Sequence, residues 1–470
     1  MTADDLAFME LTALAQAIGR REISALEVTR NLLARIAHHD ATLGAYVAVL
    51  ADSAEREAKA ADSALARGQA LGPLHGVPVA VKDLCDASGT RTLAGMPTVR
   101  ANAAPATRDA TVVARLRAAG AVLIGKLQLT EGAVAHHHPQ VTPPRNPHNG
   151  DYWSGASSSG SGVAAAAGLA YGTLGSDTGG SIRFPSFANG VTGLKPTWGR
   201  VSRAGVFPLA WSLDHVGPIA RSAADCAALL AVIAGYDDAD PTALAAPVPD
   251  YPSALAGDLA GLRVGFDAAY ATRDVDTAIR TALEQALEVM RAAGATVVEV
   301  NFPDTAEVID AWFPLCTAEA AAAHGETYPA QADLYGPELR ELLDNGNATS
   351  GRDYARAHDL RQHFRGRVTR LFGDCDLLVA PAWMRQNLTL TEFATFGSRA
   401  TDWPELVRFT APFDIAGTPT LSLPAGCNAD GAPFGFQLIG PHLGETTLLR
   451  AGHVYQQATD WHHTRPRLDA

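Results

Sequence analysis

A stretch rich in glycine and serine, GSDTGGSIRFPS at residues 175–186, contains the first candidate for chemistry. Glycines in such numbers disfavour helix and strand, and they are kept where the backbone bends sharply or approaches another group closely. Ser181 directly follows two glycines, a position from which a hydroxyl could attack a substrate. Because serine is a weak nucleophile at its ordinary pKa, a base must come from elsewhere in the chain.

Lys82 is the best candidate for that base. It ends an apolar run, VPVAVK at residues 77–82, where burial would disfavour its charged form and lower its pKa. Lysine is scarce here, occurring only at positions 59, 82, 126 and 195, and unlike arginine it can release its proton. There is no GxSxG motif, which argues against the nucleophile elbow of α/β-hydrolases, and no histidine stands in a context that marks it as the partner.

A second segment of this composition, SGASSSGSGVAAAAG at residues 154–168, offers further hydroxyls. Three interpretations compete: a flexible linker, a phosphate-binding loop, and a catalytic loop in front of a helix. A linker rarely runs straight into an alanine-rich helix. A dinucleotide fingerprint needs an apolar strand before it, whereas NPHNGDYW precedes this segment. The catalytic loop is therefore the favoured interpretation.

Composition restricts the class of protein. The 470 residues are 47% hydrophobic and 19% charged, enough to bury a large core. A net charge of −13 argues against nucleic acid or a membrane surface as the main partner. The acidic N-terminus does not resemble a signal peptide, and no 18-residue apolar run occurs. Five scattered cysteines without a CxxC motif indicate reduced thiols, so we expect a cytoplasmic protein that uses no cofactor.

Alternating helices and strands must position the candidate residues. A helix from about Asp109, ended by Gly120, runs into the strand AVLIGK, and the same joint recurs where a helix over 275–293 precedes ATVVEV. Residues 236–262 predict a long surface connection, and GTPTLSLPAG and PFGFQLIG predict two strands near the end of the chain. This rhythm is typical of an α/β protein built in layers.

Three landmarks together resemble the amidase signature family: GVPVAVKD with Lys82, GASSSGSGVAAAAG with Ser157 and GSDTGGSIRFPS with Ser181. The spacings of 75 and 24 residues agree with that family, and the resemblance continues through GLKPTWGRVSRAGVFPLAWSLDHVGPIARS and APFDIAGTPTLSLPAG. Each glycine motif is weak alone, but three in this order are specific. The resemblance implies one domain over 1–470 with a signature core at about 72–222. Its implied fold is α/β, a large mixed and twisted β-sheet covered on both sides by helices.

The resemblance also implies a Ser–cisSer–Lys triad. Ser181 would be the nucleophile, Ser157 the bridging hydroxyl next to a cis peptide bond, and Lys82 the base. Backbone N–H groups would face the oxyanion, each contributing about 3 to 4 kcal/mol; they belong to Thr178, Gly179, Gly180 and Ser181. The implied reaction is hydrolysis of a small-molecule carboxylic amide through an acyl-enzyme, extending to anilides, esters or carbamates.

Several neighbours of the triad have open roles. Where the family usually has paired glycines around its two serines, this chain has Gly155-Ala156 and Ser159-Gly160, which are also small. Asp177 and Arg183 either support the loop from behind or form an ordinary ion pair. Ser158 either supports the hydroxyl network or caps the following helix, and capping is favoured.

Three consecutive histidines, His136 to His138, suggest a metal site at first sight. Adjacent histidines do not easily ligate one ion together, and no cluster of acids or cysteines lies near them, so we predict no metal. Because the family builds its substrate pocket in this region, His136 and His137 are pocket candidates, with a solvated loop as the alternative. Trp153 and Phe184 are further pocket candidates, although core packing explains most of the aromatic residues.

Two other functions stay open at this level. The family includes the glutaminase chain of tRNA-dependent amidotransferases, which passes ammonia to a partner. A binding protein that has lost catalysis is the other, and the intact Lys82, Ser157 and Ser181 argue against it. The sequence specifies neither the substrate nor the oligomeric state, although a homodimer is common among relatives.

Overall fold

The computed structural model describes residues 2–70, 72–396 and 402–468. Within these ranges the strands are β1 (Tyr46–Val49), β2 (Pro78–Lys82), β3 (Val122–Leu127), β4 (Gly172–Asp177), β5 (Thr192–Lys195), β6 (His215–Ala220), β7 (Arg263–Phe266), β8 (Thr296–Glu299), β9 (Leu377–Pro381), β10 (Thr420–Cys427) and β11 (Pro433–Ile439). The helices are α1 (Ala3–Ala7), α2 (Leu11–Gly19), α3 (Ala25–Leu43), α4 (Ala51–Ala66), α5 (Thr111–Ala118), α6 (Ser159–Ala166), α7 (Arg183–Asn189), α8 (Ala223–Ile233), α9 (Ala268–Thr272), α10 (Thr277–Ala292), α11 (Ala306–Ala323), α12 (Pro337–Ala348), α13 (Gly351–Leu371), α14 (Leu390–Ala394), α15 (Asp402–Val407), α16 (Ala411–Ala416) and α17 (Glu445–Gln457).

The strands form one mixed sheet in the order β1-β3-β2-β4-β6-β5-β10-β11-β9-β7-β8. Strand β2 lies between β3 and β4 and is parallel to both, with Val81 opposite Leu174 of β4. Parallel neighbours end at the same edge of a sheet. Lys82 at the end of β2 is therefore brought next to Ser176 and Asp177 at the end of β4.

Helices cover both faces of this sheet. On one face the Thr173 hydroxyl donates to the Ser161 carbonyl of α6. On the other face, a Cβ added to the adjacent Gly172 would lie 2.7 Å from Leu229 of α8. Since successive residues of a strand point to opposite faces, α6 and α8 pack on opposite sides of β4. Helices therefore shield both faces of the sheet from solvent, which explains why every residue of β2 and β4 is buried.

A separate group of helices stands next to the sheet. Helix α11 packs against both α12 and α13, and α16 contacts both α11 and α13. Their shared apolar cluster includes Leu315, Leu339, Leu343 and Phe364. This group brings α11 against the loop that follows β4, which places a helix over the candidate nucleophile.

The predicted mixed α/β architecture is confirmed. Both helix–glycine–strand joints occur, as α5 followed by β3 and α10 followed by β8, and the last two strands pair antiparallel. Residues 236–262 contain only a short 3₁₀ turn at Ser253–Leu255, as a surface connection would. None of the helices in the described ranges combines the length and the apolar character of a membrane span.

Candidate active site

Lys82 is fully enclosed where β2 ends. Its Nζ atom lies 2.7 Å from Ser157 Oγ and 2.9 Å from Ser176 Oγ. Burial lowers the pKa of Lys82 to about 7, against the opposing attraction of the Asp177 and Asp214 carboxylates. The amine can therefore be neutral near physiological pH, when its lone pair can accept a proton from a hydroxyl. Ser176 was not anticipated from the sequence, because only the β2–β4 register brings it to the lysine.

The loop before α6 holds Ser157. Its Ala156–Ser157 peptide bond is cis, and the Ser157 carbonyl accepts a hydrogen bond from Thr130 N–H at 3.2 Å. The expectation that the Ser158 side chain caps α6 is wrong. Its hydroxyl donates to the Ser176 carbonyl and accepts from the Ser176 N–H, both at 3.2 Å, so it joins the loop to β4.

Ser181 stands two residues before the first residue of α7 and is partly exposed, whereas Ser157 is buried. The Ser158 N–H donates to the Ser181 carbonyl at 3.3 Å. The structure thus connects Lys82 to the Ser157 loop by a side-chain contact, and that loop to the Ser181 loop by a backbone contact. These two contacts come from segments that are far apart in the sequence.

Asp177 organises the loop that leads to Ser181. Its carboxylate accepts from Gly180 N–H at 2.6 Å and Ile182 N–H at 3.0 Å, and it forms a two-pronged ion pair with Arg183. Burial opposes the charge of Asp177, but the adjacent Arg183 guanidinium outweighs it and holds the pKa well below its usual range. Arg183 also donates to Asp414 at 2.6 Å, so one buried cation is shared by two carboxylates. Of the two interpretations of Asp177 and Arg183, support of the loop therefore fits the contacts.

The Gly180 N–H was expected among the oxyanion donors, but its hydrogen bond in the structure goes elsewhere. Because it donates to Asp177, it is not free to face a developing charge beside Ser181. The candidate donors are reduced to the N–H groups of Thr178, Gly179 and Ser181. Gly180 has a φ of +131°, and a Cβ there would clash with the Phe184 ring, so this position requires glycine for its backbone and its space.

The neighbouring residues of this loop are fixed by side chains from other elements. The Thr178 hydroxyl donates to Asp214 at 2.6 Å, and the Thr178 carbonyl accepts from the indole N–H of Trp312 at 2.9 Å. The Gly179 carbonyl accepts from the Thr410 hydroxyl at 2.5 Å. These contacts with Asp214, Trp312 and Thr410 fix the orientation of the backbone at Thr178 and Gly179.

A small cavity of about 60 Å³ lies directly beside Ser181. Thr178, Gly179 and Ser181 form its polar edge, and apolar side chains of α7, α11, α12 and α15 form most of the rest. The larger of these are Phe184, Trp312, Leu342, Trp403, Leu406 and Val407. Of the aromatic residues expected to form the pocket, Phe184 is the one that lines it.

The other pocket expectations are wrong for this cavity. The His136 ring pairs with Glu338 at 2.9 Å, and His137 lies 3.1 Å from the Ser159 hydroxyl. Trp153 stacks on Phe393 at 4.8 Å within an aromatic cluster. Residues 133–135, just before these histidines, do line the cavity, whereas none of the three histidines does.

The three histidines also do not converge on one point. His136 contacts Glu338, His137 contacts Ser159, and His138 lies 3.3 Å from the Thr98 hydroxyl. Burial lowers the pKa of His137 to about 3, so its ring is neutral. Each histidine thus has its own neighbour in the packing of this segment.

A larger cavity of about 470 Å³ reaches Ser176, the second hydroxyl that contacts Lys82. It is lined by Ser176 and Asp214 together with Trp198, Phe207 and Trp211, whereas Ser181 lines the smaller cavity. A substrate would have to reach the candidate nucleophile Ser181, and the smaller cavity is the one that adjoins it. Trp211 is among the exposed large hydrophobic residues, and it lies at this larger cavity.

Comparison with known proteins identifies the family of this chain. The family model described as Amidase matches residues 27–449. The chain belongs to the amidase signature family. A Mycobacterium tuberculosis protein named "Putative amidase AmiD" is 46% identical over 467 residues, covering 98% of this chain and 97% of that protein.

Two further relatives show the range of this family. A glutamyl-tRNA(Gln) amidotransferase subunit from Chloroflexus aggregans is 37% identical, and the match covers 99% of each chain. The solved structure of native peptide amidase from Stenotrophomonas maltophilia is 31% identical with a TM-score of 0.82, covering 98% of this chain and 99% of that one. This family member is therefore an enzyme with the amidase signature fold, and its relatives include both amide hydrolases and an amidotransferase subunit.

Proposed function

We propose that this amidase hydrolyses a small carboxylic amide through an acyl-enzyme, with Ser181 as nucleophile, Ser157 as proton relay and Lys82 as base. The observation that carries the proposal is the 2.7 Å contact between Lys82 Nζ and Ser157 Oγ, in a site where burial lowers the lysine pKa to about 7. A buried neutral amine next to a hydroxyl is the pairing that activates a weak nucleophile.

Proton movement follows the chain of groups. Neutral Lys82 takes a proton from Ser157, which takes one from Ser181 as its Oγ attacks the carbonyl carbon. The C–N bond then breaks, and the proton returns through Ser157 to the departing amine. Water afterwards attacks the acyl carbon and gives its proton through Ser157 toward Lys82. The bond between that carbon and Ser181 Oγ then breaks, Ser181 takes the proton back through Ser157, and the acid product leaves. An amine is a poor leaving group without that proton, so the relay matters most for amides.

The developing negative charge on the carbonyl oxygen is stabilised by backbone N–H groups. We assign this role to Thr178, Gly179 and Ser181, whose loop is held by Asp214, Trp312 and Thr410. A preorganised donor of this kind contributes about 3 to 4 kcal/mol to the transition state. Anilides, esters and carbamates use the same charge development, and we include them as secondary substrates.

A covalent serine probe tests the nucleophile directly. We expect a fluorophosphonate to add one adduct, located by mass spectrometry on the peptide that contains Ser181. Ser181→Ala should remove both the labelling and the release of amine from simple amides, while Ser161→Ala serves as a control serine on α6. Labelling at another serine, or undiminished turnover by Ser181→Ala, would contradict the proposal.

A second candidate function is the glutaminase chain of a tRNA-dependent amidotransferase. The 37% identity to the amidotransferase subunit from Chloroflexus aggregans over the full chain favours it. Under this alternative the chain would copurify with partner subunits and release ammonia from glutamine. Pull-down from its own cells followed by a glutaminase assay distinguishes the two functions.

A further inference from the structure

The cavity beside Ser181 is best suited to the acyl part of the substrate. In the proposed reaction the acyl group is bonded to Ser181 in the acyl-enzyme that links the two half-reactions, so it occupies the space next to that residue. The amine leaves with a proton from Ser157, which does not line the cavity. The lining of the cavity therefore selects the acyl group, and this reasoning rests on the proposed function.

The lining favours a neutral and apolar acyl group. Within the described ranges, none of the lining residues is an aspartate, glutamate, lysine, arginine or histidine, and the walls are the side chains of α7, α11, α12 and α15. A charged group enclosed there would lose its hydration without gaining a partner, which is costly. The volume of about 60 Å³ has room for roughly four to six water-sized groups.

Trp312 on α11 combines two tasks at this cavity. Its indole N–H donates to the Thr178 carbonyl at 2.9 Å, and its ring would lie 2.7 Å from a Cβ placed on Gly179. The same side chain is the part of α11 that limits the cavity, together with Cys316 one turn later. It therefore touches both the loop that bears the oxyanion donors and the space for the acyl chain.

We propose that the substrates are amides of compact, uncharged, apolar carboxylic acids, and that Trp312 determines the permitted length of the acyl group while positioning the Thr178–Gly179 backbone. Glutamine is the converse case, because its acyl part carries an ammonium and a carboxylate, for which the lining of the cavity offers no charged partner. The site is thus built against the glutaminase reaction.

The substrate class is tested with a panel of primary amides and an ammonia assay. The panel runs from acetamide through propionamide, isobutyramide, valeramide and hexanamide to octanamide, with L-glutamine and succinamic acid as charged members. We expect kcat/KM to rise about fourfold for each buried methylene, to be greatest at an acyl chain of about four to five carbons, and then to fall. The charged members should be at least about 100-fold poorer than valeramide.

Variants at one position separate the two tasks of Trp312. Trp312→Ala enlarges the cavity and should move the best acyl chain toward octanamide. Trp312→Phe keeps most of the ring but loses the N–H donor, so kcat should fall about tenfold at every chain length with a smaller shift of the optimum. Phe313→Leu on the same helix is the matched control, because Phe313 does not line the cavity.

A second variant, which fills the cavity instead of enlarging it, keeps the inference testable if Trp312→Ala does not fold. Leu342→Phe on α12 narrows the same cavity and should move the optimum toward acetamide, with folding checked by thermal midpoint. Glutamine turnover equal to that of the best neutral amide, or an unmoved optimum in a folded Trp312→Ala or Leu342→Phe, would overturn the inference alone. No turnover of any amide together with no labelling of Ser181 would overturn the proposed function and the inference with it.

Discussion

Lys82 Nζ lies 2.7 Å from Ser157 Oγ and only 2.9 Å from Ser176 Oγ, so the buried amine contacts two hydroxyls at once. A neutral amine has one lone pair and two protons. It can therefore accept from one hydroxyl while it donates to the other, and the Ser176 contact orients the amine toward Ser157. This relationship makes the protonation of a single lysine the quantity on which the proposed chemistry depends.

The pH dependence of the reaction follows from that lysine. Burial lowers the pKa of Lys82 to about 7, and the base must be unprotonated to act. Below about pH 7 the amine is charged, so kcat/KM should fall about tenfold per pH unit on the acid side, and above that pH it should level off. Initial rates from about pH 5 to 9 on a neutral amide, with folding followed by tryptophan fluorescence, measure this. An acid optimum would contradict the assignment of Lys82 as base.

Replacing the lysine tests its role more directly. Lys82→Met keeps the apolar stem and should lower kcat by at least about 10³-fold, since a general base and the relay beyond it are both lost. The exposed Lys59, changed to Met in the same way, should leave kcat unchanged. Circular dichroism and a thermal midpoint show whether Lys82→Met is folded. A folded Lys82→Met with wild-type turnover would rule out the mechanism.

Part of this site could be predicted from the sequence and part could not. Lys82 and Ser181 could be proposed from the apolar run before the lysine and the glycines before the serine, whereas Ser157 was selected by the order and spacing of motifs that resemble the amidase signature family. Ser176 and Trp312 have no such signal. Ser176 reaches the lysine only through the β2–β4 register, and Trp312 reaches Thr178 only because α11 packs over a loop 134 residues earlier.

The side-chain orientations were likewise beyond the sequence. The His136–His138 segment was expected at the pocket, but Ala133 and Ala135 just before it line the cavity, while the His136 ring turns to Glu338 on α12. The Gly180 N–H was expected at the oxyanion and instead donates to Asp177. The direction of the His136 ring depends on Glu338, which is distant in the sequence. The direction of the Gly180 N–H depends on Asp177, which is near in the sequence but whose side-chain orientation the motif does not reveal.

Asp177 is expected to control both stability and catalysis. Asp177→Asn keeps the shape but removes one of the two carboxylates around buried Arg183, so unfolding free energy should drop by about 3 kcal/mol. The kcat should drop as well, because the Gly180 N–H loses its charged acceptor. Urea unfolding and steady-state kinetics measure the two effects. The control is Asp376→Asn, which breaks the partly exposed Arg263 pair and should have a far smaller effect on both. Equal effects of the two substitutions would show that the buried Asp177–Arg183 pair contributes no more to stability and catalysis than the Asp376–Arg263 pair.

Gly180 provides the strictest test of the loop conformation. A Cβ at this position would clash with the Phe184 ring, and the φ of +131° is unfavourable for any side chain. Gly180→Ala should therefore displace the loop, lower kcat by a factor of about 10², and weaken labelling of Ser181 by a fluorophosphonate, since a misplacement of about 1 Å near the reacting atoms can cost about 10²-fold.

Gly257→Ala is the control that separates the steric clash with the Phe184 ring from the effect of a positive φ. Gly257 also has a positive φ, +103°, but its added Cβ would have nothing within 4 Å. We expect this control to lose about 1 kcal/mol of stability through backbone strain while retaining kcat and labelling. If Gly180→Ala instead behaved like Gly257→Ala, the Phe184 ring would not be fixing the loop. The oxyanion donors would then have to be sought outside residues 178–181.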